Sequence, residues 1–282
     1  MKVLSFGEVL WDIYPDDKFI GGAPFNFAAH CALHGAKSYM VSAVGDDGLG
    51  TQTLEKVRGF GVKTDYIYTL SDKETGKCLV TLDNNAHPSY NLLDDVAYDY
   101  IPFPELNDDF DVIGFGTLAL RGENNKKTLS DILDSYNLSD VFSDLNIRPP
   151  FYSEESVNFC LSNATIVKIS DEELPTVAEL ASGAYTDIES AITRIAEKFT
   201  QIKLIIVTKG ADGSCCYDCN TKKLYICDAV PTNVVSTVGA GDSFSAAFLV
   251  KYFNGEDILT CLQFASKISA HVCANADAIP ID

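Results

Sequence analysis

The chain is poor in positive charge, with 21 Lys and Arg against 40 Asp and Glu in 282 residues, so its net charge is −19 and its pI is near 4.4. This balance argues against nucleic acid or an anionic membrane surface as a partner, because both would repel the protein. No apolar run reaches the ~18 residues that a membrane-spanning helix needs. The apolar stretch at residues 1–7 is too short for a signal peptide. We therefore expect a cytoplasmic protein.

Two kinds of site signature are also missing from the sequence. There is no GxxxxGK[ST] motif, which excludes a P-loop ATPase. Nine cysteines occur without an export signal, and this favours reduced thiols over disulfides. A group of them resembles a metal knuckle, but no second CxxC pair completes it, and a β-hairpin turning at residues 220–222 explains the spacing better. The members of that group are Cys215, Cys216, Cys219 and Cys227.

The histidines are few and carry no metal signature. His30 and His34 are spaced i, i+4, but the glutamate that would follow the first in a metalloprotease motif is absent. We expect both side chains at a helix surface or an interface.

A glycine turn that enters a helix is the most informative stretch of the chain. Residues 236–244 read STVGAGDSF, and the glycines on either side of Ala240 allow a tight turn that exposes successive N–H groups. Such a turn at a helix N-terminus binds anions, because the unpaired N–H groups and the helix dipole both point at the ligand. Asp242 stands where it could meet a hydroxyl approaching a bound phosphate. From the residues alone, Asp242 could equally be a cap of its helix.

A second motif lies near the N-terminus, where residues 21–29 read GGAPFNFAA and residues 45–50 read GDDGLG. With the TVGAGDSF stretch, these motifs resemble the ribokinase/fructokinase (PfkB) family of carbohydrate kinases, and the resemblance runs from Gly7 to about Ile279. It implies transfer of the γ-phosphate of ATP, with Mg²⁺, to a sugar hydroxyl. The motifs are most similar to those of fructokinases. Kinases of ribose, 2-keto-3-deoxygluconate or a nucleoside remain open, as does a catalytically silent regulator that binds a sugar or a nucleotide.

The order of apolar runs predicts the fold class. From residue 111 onward, strands at 111–116, 140–144, 164–169 and 204–208 alternate with helical patterns, one of them opened by a capping box at residues 186–189. This rhythm predicts an α/β fold, a doubly wound and mostly parallel sheet flanked by helices, with ligands at the carboxyl ends of the strands. The resemblance makes the fold ribokinase-like.

One segment departs from this rhythm. Residues 66–101 contain a hairpin with a turn at Asn84 and Asn85 and no intervening helix. By resemblance this segment and residues of about 12–21 form a small β-lid on a single domain that spans 1–282. A lid would exclude water from phosphoryl transfer. Its apolar side chains could also join two copies of the chain in a homodimer.

The resemblance assigns two ligand sites. The sugar would contact five charged, polar or glycine positions: Asp12, Gly21, Gly22, Asn26 and Arg148. A carboxylate suits a sugar because it accepts two O–H donors at once. The nucleotide would lie against the turn after a buried strand and against the end of the last helix: Thr208, Lys209, Gly210, Gly213 and Asn275.

The metal positions match the family only in part. Glu173 corresponds to the glutamate that helps to organise Mg²⁺, but Ser170 replaces the asparagine three residues before it. Ser236 replaces a usual Asp or Asn, and Asp277 stands where glycine is common. These two departures argue against a monovalent-cation site.

The implied chemistry places Asp242 as the base that accepts the hydroxyl proton. The backbone N–H groups of Gly239, Ala240 and Gly241 would hold the charge of the transferred phosphoryl group. Positioning and charge neutralisation matter more than base strength in a loose transition state. We therefore expect an Asp242 whose pKa is depressed by the helix terminus still to serve as the base.

Overall fold

A computed structural model describes residues 1–82, 88–180 and 185–281. Its large sheet has nine strands: β1 (Lys2–Phe6), β4 (Lys37–Gly45), β5 (Lys63–Leu70), β8 (Val112–Phe115), β9 (Asp140–Asp144), β10 (Ile166–Ser170), β11 (Leu204–Thr208), β12 (Ser214–Asp218) and β13 (Lys223–Cys227). Their order across the sheet is β13-β12-β11-β10-β9-β8-β1-β4-β5. The seven strands from β11 to β5 run parallel, and at one edge β12 pairs antiparallel with β11 and β13 pairs antiparallel with β12. The α/β fold class with a mostly parallel sheet is confirmed.

Helices cover both faces of this sheet. One face carries α1 (Ala23–Leu33), α2 (Gly48–Gly59), α7 (Ala240–Phe253) and α8 (Ile258–Cys273). The other carries α3 (Glu123–Ser135), α4 (Glu154–Asn163), α5 (Leu174–Leu180) and α6 (Ile188–Lys198). Because both faces are covered, the central strands are apolar almost throughout, as the first four residues of β11 show by being fully buried.

Local chemistry fixes where several helices begin. Ser153 caps α4, and the Asp257 side chain accepts the Thr260 N–H at 3.1 Å at the start of α8. The helix α6 begins one residue later than the predicted capping box. Asp187, not Thr186, is its N-cap and pairs with Ser190. A carboxylate is at least as good a cap as a hydroxyl, and this explains the shift.

A second sheet of four strands lies apart from the large one, in the order β3-β2-β6-β7. Its strands are β2 (Leu10–Ile13), β3 (Lys18–Gly21), β6 (Lys77–Leu82) and β7 (Pro88–Leu92). Residues 66–70, which we had expected in this small sheet, belong to β5 and pair with β4 of the large one. The predicted turn at Asn84 and Asn85 lies outside the described residues.

The small sheet exposes part of its apolar surface. Phe19 is 47% exposed and Leu79 37% exposed. The homodimer through this sheet stays a prediction.

Two side-chain expectations can be compared with the structure. His30 is not at the surface: it is 2% exposed, and its Nε2 lies 2.9 Å from the carbonyl oxygen of Ala278. It is buried because the C-terminal segment passes over α1. The nine cysteines are free thiols, and all but Cys219 and Cys273 are buried.

In the described residues, no helix has the length and apolar character to cross a membrane.

The strand order places one reversal of direction in the large sheet. The chain runs from β1 outward to β4 and β5, then returns to β8 on the other side of β1. In open α/β sheets, ligands bind at such a switch point, outside the carboxyl ends of the strands. Glu8 follows β1 directly, and Asp144 ends β9. Both line a cavity there, together with Asp242 at the start of α7.

Candidate active site

The two sequence motifs meet at the switch point. Asn26, in the first turns of α1, donates from its Nδ2 to Oδ2 of Asp242 at 2.8 Å, across a separation of 216 residues. Asn26 is 4% exposed, and Asp242 is partly buried in the first turn of α7. The hydrogen bond fixes the direction in which the carboxylate points.

A left-handed glycine forms the turn before α7. Gly239 has φ +78°, and a Cβ there would lie 2.6 Å from the carbonyl oxygen of Ala278. Only glycine combines this φ with so close an approach to another backbone segment. Ala240 behaves differently from our expectation, because its N–H donates to the carbonyl oxygen of Thr237 at 3.2 Å. Among the described residues, no partner takes the N–H of Gly239 or Gly241, so these two are the open donors of the turn.

Hydroxyl groups hold this turn from behind. The carbonyl oxygen of Ala240 accepts from Ser243 Oγ at 2.9 Å and from Ser269 Oγ of α8 at 3.0 Å. The side chain of Ser236 accepts the N–H of Val238 at 3.2 Å. Ser236 therefore stabilises the approach to the turn. These three hydrogen bonds fix the backbone of the turn, which favours an anion site with low reorganisation cost.

Asp242 is a stronger base than the helix terminus alone suggested. Burial, and next the charge of Asp144, raise the pKa of Asp242 to about 6, against the opposing effects of the Asn26 hydrogen bond, Lys168 and Arg148. The expected depression of this pKa was therefore wrong. A carboxylate near pKa 6 is ionised at neutral pH and accepts a proton more readily than an ordinary aspartate.

The candidate sugar residues on the small sheet lie beside the N-terminus of α1. Asp12 of β2 fits against Gly21 of β3, where a Cβ would come 3.0 Å from Oδ2 of Asp12. Gly22 has φ +112°, and a Cβ there would lie 2.6 Å from the carbonyl oxygen of Glu8. Burial raises the pKa of Asp12, while the Cys78 thiol on the neighbouring strand and Arg148 lower it. Gly21 thus leaves the room that the carboxylate occupies, and Gly22 lets the chain pass close to the backbone of Glu8.

Arg148 links these groups electrostatically. Its charge lowers the pKa of Asp12, Glu8 and Asp242. The exposed guanidinium of Arg148 therefore interacts electrostatically with three carboxyl groups. Arg148 therefore lies with the candidate sugar residues. Gly21 borders Asp12, Gly22 directly precedes α1 and Asn26 lies in its first turns, so these four candidates are neighbours.

The candidate nucleotide residues fall into two groups. Thr208 ends β11, and the next turn closes through the Lys209 N–H and the carbonyl oxygen of Gly213 at 2.8 Å, around Gly210. No backbone hydrogen bond between described residues joins this turn directly to Gly239 or Asp242. At the end of α8, the Asn275 side chain donates to the carbonyl oxygen of His271 at 2.8 Å.

The end of α8 is tied to the segment before the glycine turn. The N–H groups of Val235 and Ser236 donate to the carbonyl oxygen of Cys273 at 2.8 and 3.2 Å. Asn275 follows Cys273 by two residues. Asn275 is thus near the entrance to the turn.

Glu173 braces the ends of two strands. Its Oε1 accepts the N–H of Ile147 at 2.5 Å, and its Oε2 accepts the N–H of Ser170 at 2.7 Å. Over the described part of the chain, no group of three or more His, Cys, Asp or Glu side chains is spaced to hold a metal ion. Mg²⁺ that is bound with a nucleotide typically takes one or two carboxylates along with phosphate and water oxygens. Glu173 can supply such a carboxylate, although each of its oxygens also accepts a backbone N–H.

Two buried charged residues were missed as site residues by the sequence analysis. Glu8 is 2% exposed, lines the cavity beside Asp242, and has an Oε2 without a hydrogen-bond partner among the described residues. Burial raises the pKa of Glu8 to about 7. Lys168 is 6% exposed in β10 and binds Asp144. The available signal was a single charge inside an apolar run, as in the strand sequence IVKIS.

The raised pKa of Asp242 predicts that the rate of the expected phosphoryl transfer falls at acid pH, which gives the pH profile an acid limb. If Asp242 must be ionised to accept a proton, activity is lost as the pH falls through its pKa, so kcat/KM should decline below about pH 6, by about tenfold per pH unit at the acid end. Measuring kcat/KM from pH 4.5 to 8 checks this. Glu8→Gln removes the neighbouring cavity carboxyl group whose pKa is also raised, and the acid limb should remain. A rate that is flat down to pH 4.5, or a limb that disappears in Glu8→Gln, would contradict the assignment.

The sequence matches the family model described as pfkB family carbohydrate kinase over residues 15–281. The chain is 28% identical to the fructokinase of Rhizobium leguminosarum bv. trifolii over 284 residues, which cover 94% of this chain and 83% of that protein. It is also 28% identical to the ribokinase of Bacillus subtilis over 258 residues, covering 90% of this chain and 81% of that protein.

The fold has a solved counterpart. The structure resembles an uncharacterised sugar kinase of Pyrococcus horikoshii, crystallised in complex with ATP, with a TM-score of 0.82 and 26% sequence identity. The match covers 98% of this chain and 94% of the other. The likeness therefore spans both sheets and all the flanking helices.

Proposed function

The chain belongs to the pfkB family of carbohydrate kinases, and from that premise we propose that it transfers the γ-phosphate of ATP to a hydroxyl of fructose. The observation that carries the proposal is the 2.8 Å contact between Asn26 and Asp242, which joins the N-terminal sugar motif to the anion-binding turn. The family relationship and the ATP bound to the Pyrococcus horikoshii relative support ATP as the donor.

In the proposed reaction, Asp242 accepts the proton of the sugar hydroxyl as its oxygen attacks the γ-phosphorus. The new O–P bond replaces the bond to ADP, which leaves with the electron pair of that bond. The N–H groups of Gly239 and Gly241 face the charge that accumulates on the transferred group. Mg²⁺ bound with ATP would neutralise phosphate charge, with Glu173 as the proposed nearby carboxylate.

The charge of the site favours a neutral sugar. Arg148 is an exposed cation that acts on the carboxyl groups of Asp12, Glu8 and Asp242, and the buried Lys168, which also acts on Asp242, is paired with Asp144. The charge of Arg121 also reaches Glu8, but its guanidinium is bonded to both oxygens of Asp99 at 2.7–2.8 Å. A sugar with its own carboxylate or phosphate would add negative charge where little is balanced. This supports fructose or ribose over 2-keto-3-deoxygluconate.

Two of the aromatic residues near Asp12 offer no ring face to a nucleoside. A nucleobase needs an accessible ring face to stack on. Trp11 is 3% exposed, with its Nε1 donating to Thr53 at 2.8 Å and Lys18 over its ring. Phe25 is fully buried against Phe60. These two rings are occupied by the protein itself. Tyr14, the third aromatic residue near Asp12, is half-buried and packs edge-on against the exposed Phe19 at 5.7 Å between ring centroids, so adenosine stays in the comparison of acceptors.

A coupled assay of ADP release separates the candidate functions. We would measure kcat/KM with fructose, ribose, 2-keto-3-deoxygluconate and adenosine, with ATP and Mg²⁺ saturating. The proposal predicts the highest kcat/KM with fructose. A higher value with another acceptor would reassign the substrate within the family. Sugar binding by calorimetry without ADP release from any acceptor would instead indicate a silent binding protein.

Asp12 should contribute to sugar binding far more than to ATP binding. Replacing Asp12 by Asn leaves the shape of the side chain but removes a charged acceptor, and one hydrogen bond to a charged group is worth about 1.5–3 kcal/mol. We therefore expect the KM for fructose to rise by about 10–100-fold, with the KM for ATP unchanged. Asp16→Asn, at an exposed position of the same hairpin, is the matched control and should change neither constant. Equal KM values in Asp12→Asn and wild type would remove Asp12 from the sugar site.

A further inference from the structure

A buried lysine lies in the middle of a central strand. Lys168 of β10 is 6% exposed, with Val167 and Ile169 fully buried on either side. Its Nζ is 2.9 and 3.0 Å from the two carboxylate oxygens of Asp144, at the end of the neighbouring strand β9. Burying an ammonium is costly even when it is paired, and an apolar pair would often be as stable. Packing alone therefore does not account for a lysine at this position.

This ion pair lies directly beneath the anion-binding turn. A Cβ on Gly241 would be 3.3 Å from Nζ of Lys168, so the ammonium lies against the backbone whose N–H is open. Ser245, one helical turn further along α7, reaches Oδ2 of Asp144 at 2.9 Å and the carbonyl oxygen of Gly241 at 3.0 Å. The pair and the first turn of α7 thus form one connected unit.

The charges of Lys168 and Asp144 also act on Asp242. Asp144 raises the pKa of Asp242, and Lys168 lowers it. Burial alone would lower the pKa of Lys168, but Asp144 and Glu173 raise it above its usual value, so the lysine stays charged. Among the described residues, Asn26 of α1 also bonds to Asp242, and the charges of Arg148 after β9 and Glu8 after β1 interact with it.

We propose that Lys168 is a positioning residue for phosphoryl transfer, a fixed cation that Asp144, itself bonded by Ser245, holds beneath Gly241 to complement the transferred phosphoryl group. It also offsets the repulsion between Asp144 and Asp242. This inference rests on the proposed kinase function and adds to it a residue that touches neither substrate. An acidic chain with net charge −19 needs local positive charge at a site for polyphosphate, and a buried lysine provides it without becoming screened by solvent.

Three variants separate this role from simple pairing. Lys168→Met removes the cation and should lower kcat by about 10–100-fold, with the KM for fructose within about threefold of wild type. It should also move the acid limb of kcat/KM to higher pH. Lys168→Arg keeps the charge and the pairing, and its kcat should stay several-fold above that of Lys168→Met.

The double variant that combines Asp144→Asn with Lys168→Met leaves no unpaired buried charge. Its melting temperature should therefore return towards the wild-type value, while its kcat should stay at least about tenfold below that of wild type.

Lys203→Met is the matched control. Lys203 pairs with Asp140 at 2.7 Å, at the opposite end of the same strand β9, so its loss should leave kcat and the acid limb unchanged. Wild-type kcat in the double variant would overturn the proposal, because Lys168 would then serve only as the counterion of Asp144. Equal losses in Lys168→Arg and Lys168→Met would overturn it as well. Failure of the kinase function is distinguishable, since wild-type protein would then release no ADP with any acceptor.

Discussion

Replacement of Asp242 should abolish most of the turnover while the nucleotide still binds. Asp242→Asn keeps the volume and the hydrogen bond site for Asn26 but cannot accept a proton, and Asp242→Ala loses both. We expect kcat to fall by at least ~10²-fold in the asparagine variant and further in the alanine variant. Calorimetric titration with ATP should give a dissociation constant close to that of wild type. Steady-state ADP release at saturating sugar measures the loss.

A second aspartate near a helix N-terminus provides the control. Asp257 caps α8 at the end remote from the glycine turn. Asp257→Asn should lower the melting temperature slightly and leave kcat unchanged. Near-full turnover in Asp242→Asn would mean that Asp242 is not the base.

Closing the space at Gly239 should damage the anion-binding turn itself. In Gly239→Ala the new methyl group would lie 2.6 Å from the carbonyl oxygen of Ala278, at a φ of +78° that a side chain rarely adopts. The turn must shift, and its open N–H groups move with it. Because loss of a single such donor typically costs about 10²–10³ in kcat, we expect a decrease of at least ~10²-fold. ADP release and the melting temperature measure the two consequences.

Gly255→Ala separates backbone strain from the steric clash. Gly255 has φ +84°, and a Cβ there would meet no atom within 4 Å. Both variants bear the cost of a left-handed alanine, about 1–2 kcal/mol, but only Gly239→Ala displaces the turn. The control should therefore lose some stability and keep its kcat. Equal kcat values in the two variants would contradict a catalytic need for the Gly239 geometry.

The sequence predicted what depends on local pattern. The strand β9 was expected at residues 140–144 and β11 at 204–208, and both have those bounds. Apolar runs bounded by polar residues identify such strands because both faces of the sheet are covered. The family-like motifs assigned Asn26 to the sugar and Asp242 to the base, but the hydrogen bond between them was not predicted.

What the sequence could not predict depends on neighbours from distant segments. The pKa of Asp242 was expected to fall because a helix N-terminus is visible in sequence, whereas Asp144, 98 positions earlier, is not visibly its neighbour. His30 was expected at a surface because the sequence of α1 does not show that the segment at Ala278 covers it. The Ala240 N–H was counted as open because a turn bond to Thr237 depends on the φ of Gly239. In each case tertiary contacts determined the outcome.

A crystal structure with fructose and a non-hydrolysable ATP analogue tests the central claim most directly. The account predicts that the terminal phosphate lies against the N–H groups of Gly239 and Gly241, and that one fructose hydroxyl lies within hydrogen-bond distance of Asp242. The expected oxygen-to-oxygen distance is about 2.6–3.2 Å. A terminal phosphate bound away from this turn, or a fructose whose hydroxyl groups all lie out of reach of Asp242, would contradict it.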